Sequence, residues 1–123
     1  MAKILVVDDE RGYLDLLELI LKTDGHEVET SVTGVDAVEV GRRWHPHLLL
    51  ADWKLKDSLC GLDVAKILHG ENPDLVTIVM TGYSASMLRS QARDIQNLHV
   101  IEKPFDTDAL RGLIEKVLDS RRN

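Results

Sequence analysis

Four short apolar runs in this chain each end on a polar residue of a particular kind. Lys3-Ile4-Leu5-Val6-Val7 leads into Asp8-Asp9, and Leu48-Leu49-Leu50-Ala51 leads into Asp52. Leu75-Val76-Thr77-Ile78-Val79-Met80 ends at Thr81, and Leu98-His99-Val100-Ile101-Glu102 ends at Lys103-Pro104. As parallel strands of one sheet, these runs bring their carboxyl ends to a single edge, the edge where open α/β folds bind ligands. Three carboxylates, a hydroxyl and an ammonium then converge from distant parts of the sequence.

Segments of helical period separate the runs. Between Asp9 and Gly25, Leu14, Leu17, Ile20 and Leu21 recur at three- and four-residue steps, with Leu16 and Leu19 widening the stripe. Gly25 supplies the stop. A further strand is expected over Glu27 to Ser31, where Val28, Thr30 and Val32 alternate with Glu27, Glu29 and Ser31 in the manner of a half-exposed edge. Thr33 can cap a second helix that buries Val35, Val38 and Trp44 and ends before Pro46. A third helix begins near Gly61 and buries Leu62, Ala65, Ile67 and Leu68. The fourth, from Ser84 to Asp94, turns Leu88, Ala92 and Ile95 inward and Arg89 and Arg93 outward. The fifth carries Leu110, Leu113, Ile114, Val117 and Leu118 on one stripe, with Arg121-Arg122 at the dipole-favoured end.

Strand-helix alternation with short connections implies a single doubly wound parallel sheet, with helices on both faces and right-handed crossovers. Of the two common strand orders, the flavodoxin-like 2-1-3-4-5 puts Asp8-Asp9 beside Asp52 at the switch point. It leaves the second strand, which ends on the chemically bland Thr30-Ser31, at the edge. At 123 residues, 44% hydrophobic and 29% charged, the chain reads as one globular domain over residues 1–123, with no repeat or interdomain linker. A net charge of −6 argues against nucleic-acid or membrane-surface binding, both of which want a basic patch. The lone Cys60 suits a reducing cytoplasm, and no apolar stretch approaches the ~20 residues of a membrane span.

Three ionised carboxylates close together repel, so either one is protonated or a cation sits among them. Oxygen donors favour a hard divalent ion, with Mg²⁺ the usual choice where phosphate is handled. Lys103 adds a positive charge, Thr81 a hydroxyl donor, and Asp52 a carboxylate able to attack phosphorus. Each piece alone has a plainer meaning. An acidic pair complements a helix dipole, an Asp caps a loop, a Thr is a good strand residue, and Lys-Pro makes a turn. Only their meeting at one sheet edge points to phosphoryl chemistry.

Asp8-Asp9, Asp52, Thr81-Gly82 and Lys103-Pro104-Phe105 together resemble the response-regulator receiver domain of two-component signalling, of the chemotaxis-regulator kind, over the whole chain. The resemblance implies that Asp52 accepts a phosphoryl group from a phosphohistidine on a sensor histidine kinase or phosphotransfer protein. It implies Mg²⁺ (or Mn²⁺) ligation by Asp9, Asp52 and the backbone carbonyl of Lys54, with Asp8 acting through water. Thr81 and Lys103 would hold phosphoryl oxygens, and the bond before Pro104 would be cis. The surface of the fourth helix, fifth strand and fifth helix would switch an output domain or target protein, and phosphorylation-dependent dimers are compatible with it. Such a protein works on itself and is not a turnover enzyme.

Some positions depart from the commonest family pattern. Val100 stands where an aromatic usually lies three residues before the lysine, which leaves Tyr83 as a substitute readout. His99, its neighbour, should point to the opposite face of its strand. The loop from Trp53 to Gly61 is one residue longer than usual and lacks the frequent proline, so a local rearrangement is expected there. Lys54 and Tyr83, two residues beyond Asp52 and Thr81, should influence water access and phosphoryl lifetime, with Gly82 and Pro104 also in modulating positions. Trp53 is expected to be partly exposed.

Two other functions compete. A Mg²⁺-dependent aspartate-nucleophile phosphatase would place an acid/base Asp two residues after the nucleophile, where this chain has Lys54. A flavin site suits the fold, but Asp8-Asp9-Glu10 would repel the flavin phosphate. The five histidines lack ligand spacing, and only His69 loosely offers the exposed helical histidine of a phosphodonor domain.

Overall fold

The computed structural model describes residues 2–56 and 59–122, with side chains described through Asp119. Among these residues the chain forms β1 (Lys3–Val7), α1 (Arg11–Thr23), β2 (Glu27–Ser31), α2 (Gly34–Trp44) and β3 (Leu48–Asp52). It continues through α3 (Gly61–Glu71), β4 (Val76–Thr81), α4 (Ala85–Gln91), β5 (Leu98–Glu102) and α5 (Thr107–Arg122). The five strands make one sheet of order β2-β1-β3-β4-β5, with every neighbouring pair parallel. The expected doubly wound, flavodoxin-like architecture is the observed one.

Residues alternate between two cores because successive strand side chains point to opposite faces. Leu5, Val7, Leu49, Ala51 and Val79 pack against α2, α3 and α4 through Ala37, Val38, Leu62, Ala65, Leu68 and Leu88. Ile4, Val6, Leu48, Leu50, Ile78 and Met80 pack against α1 and α5 through Leu14, Leu17, Leu21, Leu110, Ile114 and Val117. Each fully buried Leu or Ile contributes about 1.5–3 kcal/mol by leaving water, so covering the sheet on both sides dominates the fold's stability. β2 forms one edge of the sheet, and its exposed Glu27 and Glu29 protect that edge from pairing with another chain.

Local signals place the helix ends. Gly25 adopts φ 93°, a conformation that costs a residue with a side chain, and turns the chain from α1 into β2. The Thr33 side chain accepts a hydrogen bond from the Asp36 N–H and caps α2. Left-handed His45 closes that helix ahead of Pro46.

Several sequence expectations about side-chain placement need correction. Leu16, Leu19 and Val35 are exposed at 44%, 64% and 56%, because an α-helix against one sheet face buries a narrower stripe than all its apolar residues occupy. Ser31 is buried at the end of β2, where it pairs in register with Val7 and its carbonyl accepts from the Asp8 N–H. The fourth helix is shorter than the span from Ser84 to Asp94, although Leu88, Ala92 and Ile95 do face inward. The expected Arg121-Arg122 pairing with the α5 dipole lies outside the described side chains. Among the described residues, no helix is long and apolar enough to cross a membrane.

Candidate functional site

Backbone hydrogen bonds carry the sheet pattern past the strand ends and fix the loops that hold the acidic cluster. The Asp8 N–H donates to the Ser31 carbonyl at 3.2 Å, Trp53 N–H to Met80 O at 2.8 Å, and Lys103 N–H to Thr81 O at 2.6 Å. Loops that would otherwise be free are thereby tied to neighbouring strands. Gly61 N–H donates to Trp53 O at 2.8 Å, and a Cβ on Gly61 would run into the Asp52 carbonyl. The loop after Asp52 therefore returns to the strand end at Gly61. The Asp57-Ser58 part of the expected rearrangement lies outside the described residues.

Asp8, Asp9 and Asp52 each offer an oxygen, and these oxygens lie within 4.8 Å of one another. Asp8 is almost fully buried and accepts from the Glu10 N–H at 3.0 Å. Lys103 Nζ stands 3.4 Å from Asp8 Oδ2 and 3.3 Å from Asp52 Oδ1. Burial pushes the Asp52 carboxyl up to about 6. Lys103 pulls it back by charge and as a hydrogen-bond donor, while Asp8 and Asp9 push it up further. One ammonium does not neutralise three carboxylates, and an all-oxygen donor set carrying excess negative charge fits a hard divalent cation. Across the pocket, buried Thr81 accepts from the Tyr83 N–H through Oγ1 at 2.9 Å, which leaves its own O–H free to donate.

Two aromatic groups flank the acidic centre. On the α1 side, Lys103 Nζ lies 4.8 Å from the Tyr13 ring centroid, and that ring meets Phe105 edge-on at 6.0 Å. Burial, then the charges of Asp8, Asp52 and Glu10, push the Tyr13 phenol up to about 12, so it stays neutral. On the opposite side, Lys54 Nζ lies 4.6 Å from the Trp53 ring and 5.7 Å from Tyr83, whose ring stands at 84° to Trp53. Tyr13 was not legible as a site residue, since its only signal is an aromatic in the first turn after an acidic pair. Trp53, expected partly exposed, is buried at 6% because it packs into the α2-α3-α4 core.

The other candidates sort by location. Val100 is half-buried against the same core, and His99 takes the opposite face, where burial and then the Lys116 and Arg89 charges hold it below its usual range. Gly82 is exposed, and the Lys103-Pro104 bond is cis, as the resemblance implied. His26 and His47 each accept a backbone N–H, from Ala2 and Lys3, at the far edge of the sheet. His69 is half-buried, with Nε2 unpartnered among the described residues, and so does not present the exposed imidazole of a phosphodonor. Cys60 joins Asp63 in a capping box at the start of α3.

Comparison with known proteins agrees with this geometry. The response regulator receiver domain family model matches residues 4–115. Sporulation initiation phosphotransferase F of Bacillus subtilis is 27% identical over 121 residues, covering 98% of this chain and 97% of that protein. Transcriptional regulatory protein ZraR of Escherichia coli K12 is 30% identical over 115 residues, but the match spans only 26% of its length. The receiver domain of NtrX from Brucella abortus has a TM-score of 0.85 at 31% identity, with 94% of this chain and 98% of that one covered. A CheY-like receiver protein from Methanospirillum hungatei gives 0.88 at 28% identity, with 99% and 97% covered. With its sheet order and acidic strand-end pocket in agreement, the chain belongs to the response regulator receiver domain family of two-component systems.

Proposed function

We propose that residues 1–123 act as one phosphoacceptor module that takes a phosphoryl group onto Asp52 from a phosphohistidine of a sensor histidine kinase or phosphotransfer protein. The observation that carries this reading is the meeting of Lys103 Nζ with Asp52 at 3.3 Å and Asp8 at 3.4 Å inside the three-carboxylate pocket. An ionised Asp52 oxygen attacks phosphorus as the P–N bond to the donor imidazole breaks. The electron pair stays on that nitrogen, which then takes a proton from solvent. With its carboxyl at about 6, Asp52 is mostly ionised at neutral pH. Lys103 exchanges its carboxylate partners for a phosphoryl oxygen, and the Thr81 O–H donates to another.

Asp8, Asp9, Asp52 and the Lys54 carbonyl would hold Mg²⁺ or Mn²⁺, with Asp8 acting through water. Such an ion supplies positive charge against the phosphoryl oxygens. Two residues after Asp52, at the position where such a phosphatase has its acid/base Asp, this chain has Lys54, whose ammonium rests on the Trp53 ring. The chain is therefore read as modifying only itself.

Phosphorylation adds about −1.5 to −2 charges at one point. When the Thr81 hydroxyl turns toward the phosphoryl group, the Tyr83 N–H loses its acceptor, and the segment leading into α4 is free to shift. The α4-β5-α5 surface then addresses an output domain, a target protein or a second copy of the chain, in the cytoplasm. Tyr83, exposed against Trp53, takes the readout role that Val100 lacks the ring to perform.

The direct test is incubation with acetyl phosphate and Mg²⁺ followed by intact mass. One phosphoryl group should be gained by the parent chain and none by Asp52→Ala. A gain that persists in Asp52→Ala removes Asp52 as acceptor, and rapid release of phosphate from small phosphomonoesters would overturn the non-turnover reading.

A further inference from the structure

We propose that Tyr13 is a positioning residue for Lys103, its ring face forming the wall that keeps the ammonium aimed at the acceptor while its anionic partners change. Lys103 Nζ is bounded on one side by Asp8 and Asp52 and on another by the Tyr13 ring at 4.8 Å. The Lys103 side chain remains 28% exposed, so its long flexible stem is free to swing into water once those carboxylates are otherwise engaged. Charge alone is a poor guide here, because the carboxylates that hold Lys103 in the free protein are the groups that phosphorylation and a divalent cation would claim. A ring face attracts an ammonium without competing as an oxygen acceptor or fixing the direction of its N–H groups. Those donors can turn to whichever oxygen replaces the carboxylates.

The ring is itself held at both ends. Tyr13 sits in the first turn of α1, four residues after Asp9, and packs against the α1-α5 core. Its edge contact with Phe105 reaches the loop that carries Lys103. One side chain thus ties the carboxylate loop to the lysine loop. An aliphatic residue could fill the same space and keep the Phe105 contact, but it would offer the ammonium nothing.

The kinetic arm of the test rests on the phosphoacceptor reading; the spectroscopic arm does not. In the unphosphorylated full chain, the Lys103 Cε protons should show an upfield ring-current displacement. It should persist in Tyr13→Phe and vanish in Tyr13→Leu. Initial rates of phosphoryl uptake from acetyl phosphate with Mg²⁺ should stay within about twofold for Tyr13→Phe and fall about fivefold for Tyr13→Leu. Fluorinated phenylalanines at position 13 keep the shape and weaken the ring face stepwise, so the rate should decline in step even if the Leu variant folds poorly. Parent-like rates across the fluorinated series overturn the proposal, as does a Tyr13→Phe variant as slow as Tyr13→Leu. If the parent chain takes up no phosphoryl group, the acceptor reading fails, and the Lys103 displacement still decides whether the ring holds the ammonium.

Discussion

Lys103 and Lys54 stand on opposite sides of Asp52 and are held by different physics. Lys103 is mostly shielded and lies 3.3 and 3.4 Å from two carboxylates, with a ring behind it. Lys54 is exposed, and its nearest described partners are the rings of Trp53 and Tyr83. A charge gripped by buried anions is committed, since releasing it requires other charges in exchange. An exposed charge resting on rings from the solvent side moves at little cost, because the contact is non-directional and water screens it. The first arrangement suits the phosphoryl-holding role proposed for Lys103, and the second the modulating role proposed for Lys54.

The largest expected effect tests that division directly. Lys103→Ala should slow phosphoryl uptake from acetyl phosphate by about 10²–10³-fold, the usual consequence of removing one preorganised charge-stabilising donor. Lys54→Ala should change the same initial rate by less than about threefold, because an exposed ring-held charge adds little to transition-state stabilisation. Equal losses in the two variants would break the comparison.

The two sides were not equally legible in the sequence. Asp8, Asp9, Asp52, Thr81 and Lys103 were readable because each ends an apolar run, and parallel strands turn that regularity into proximity. The strand order followed from the same residues. Tyr13 was not readable, because helical periodicity assigns its neighbour Leu14 to the core and says nothing about what a parallel crossover will bring opposite position 13. Trp53 was misjudged for a related reason. A residue just past a strand end reads as loop, yet its N–H still bonds to Met80 and its ring turns under α3 and α4. Leu16, Leu19 and Val35 show the opposite error, since apolar character at helical spacing does not reveal how wide a stripe the sheet can cover.

A second expectation concerns how far Lys103 compensates the acidic centre. Asp52 titrates near 6 in the folded chain against 3.8 for an ordinary carboxyl, chiefly through burial. A raised folded value means that ionisation disfavours the fold. The stability contributed by the protonated form is fully present below about pH 4 and is lost as pH rises through about 6. Asp52→Asn should therefore stabilise the metal-free protein by about 2–3 kcal/mol at pH 7.5, measured by urea unfolding in chelator, at 1.36 kcal/mol for each pH unit of displacement. The advantage should shrink through pH 6 and vanish near pH 4. An advantage that is flat across this range would mean that Lys103 balances Asp52 fully and that the pocket has no charge left for a cation to relieve.

The smallest effect sharpens the contrast between the two aromatic walls. A double-mutant cycle on Lys54→Ala and Tyr83→Leu, read as unfolding free energy, should give a coupling below about 1 kcal/mol, as expected where an ammonium meets a ring in water. Tyr83 is 53% exposed, and the 5.7 Å separation from Lys54 leaves the pair open to solvent. The matching cycle on Lys103→Ala and Tyr13→Leu should give a larger coupling, toward about 2 kcal/mol, because that contact is closer and better shielded. Raising ionic strength adds a check on that shielding: the Lys103–Asp8 interaction, one partner of which is buried, should weaken less than the exposed Lys22–Glu18 pair. If the Lys54–Tyr83 coupling equalled that of Lys103 and Tyr13, both lysines would be equally fixed by their rings, and only the carboxylates beside Lys103 would distinguish the two sides of Asp52.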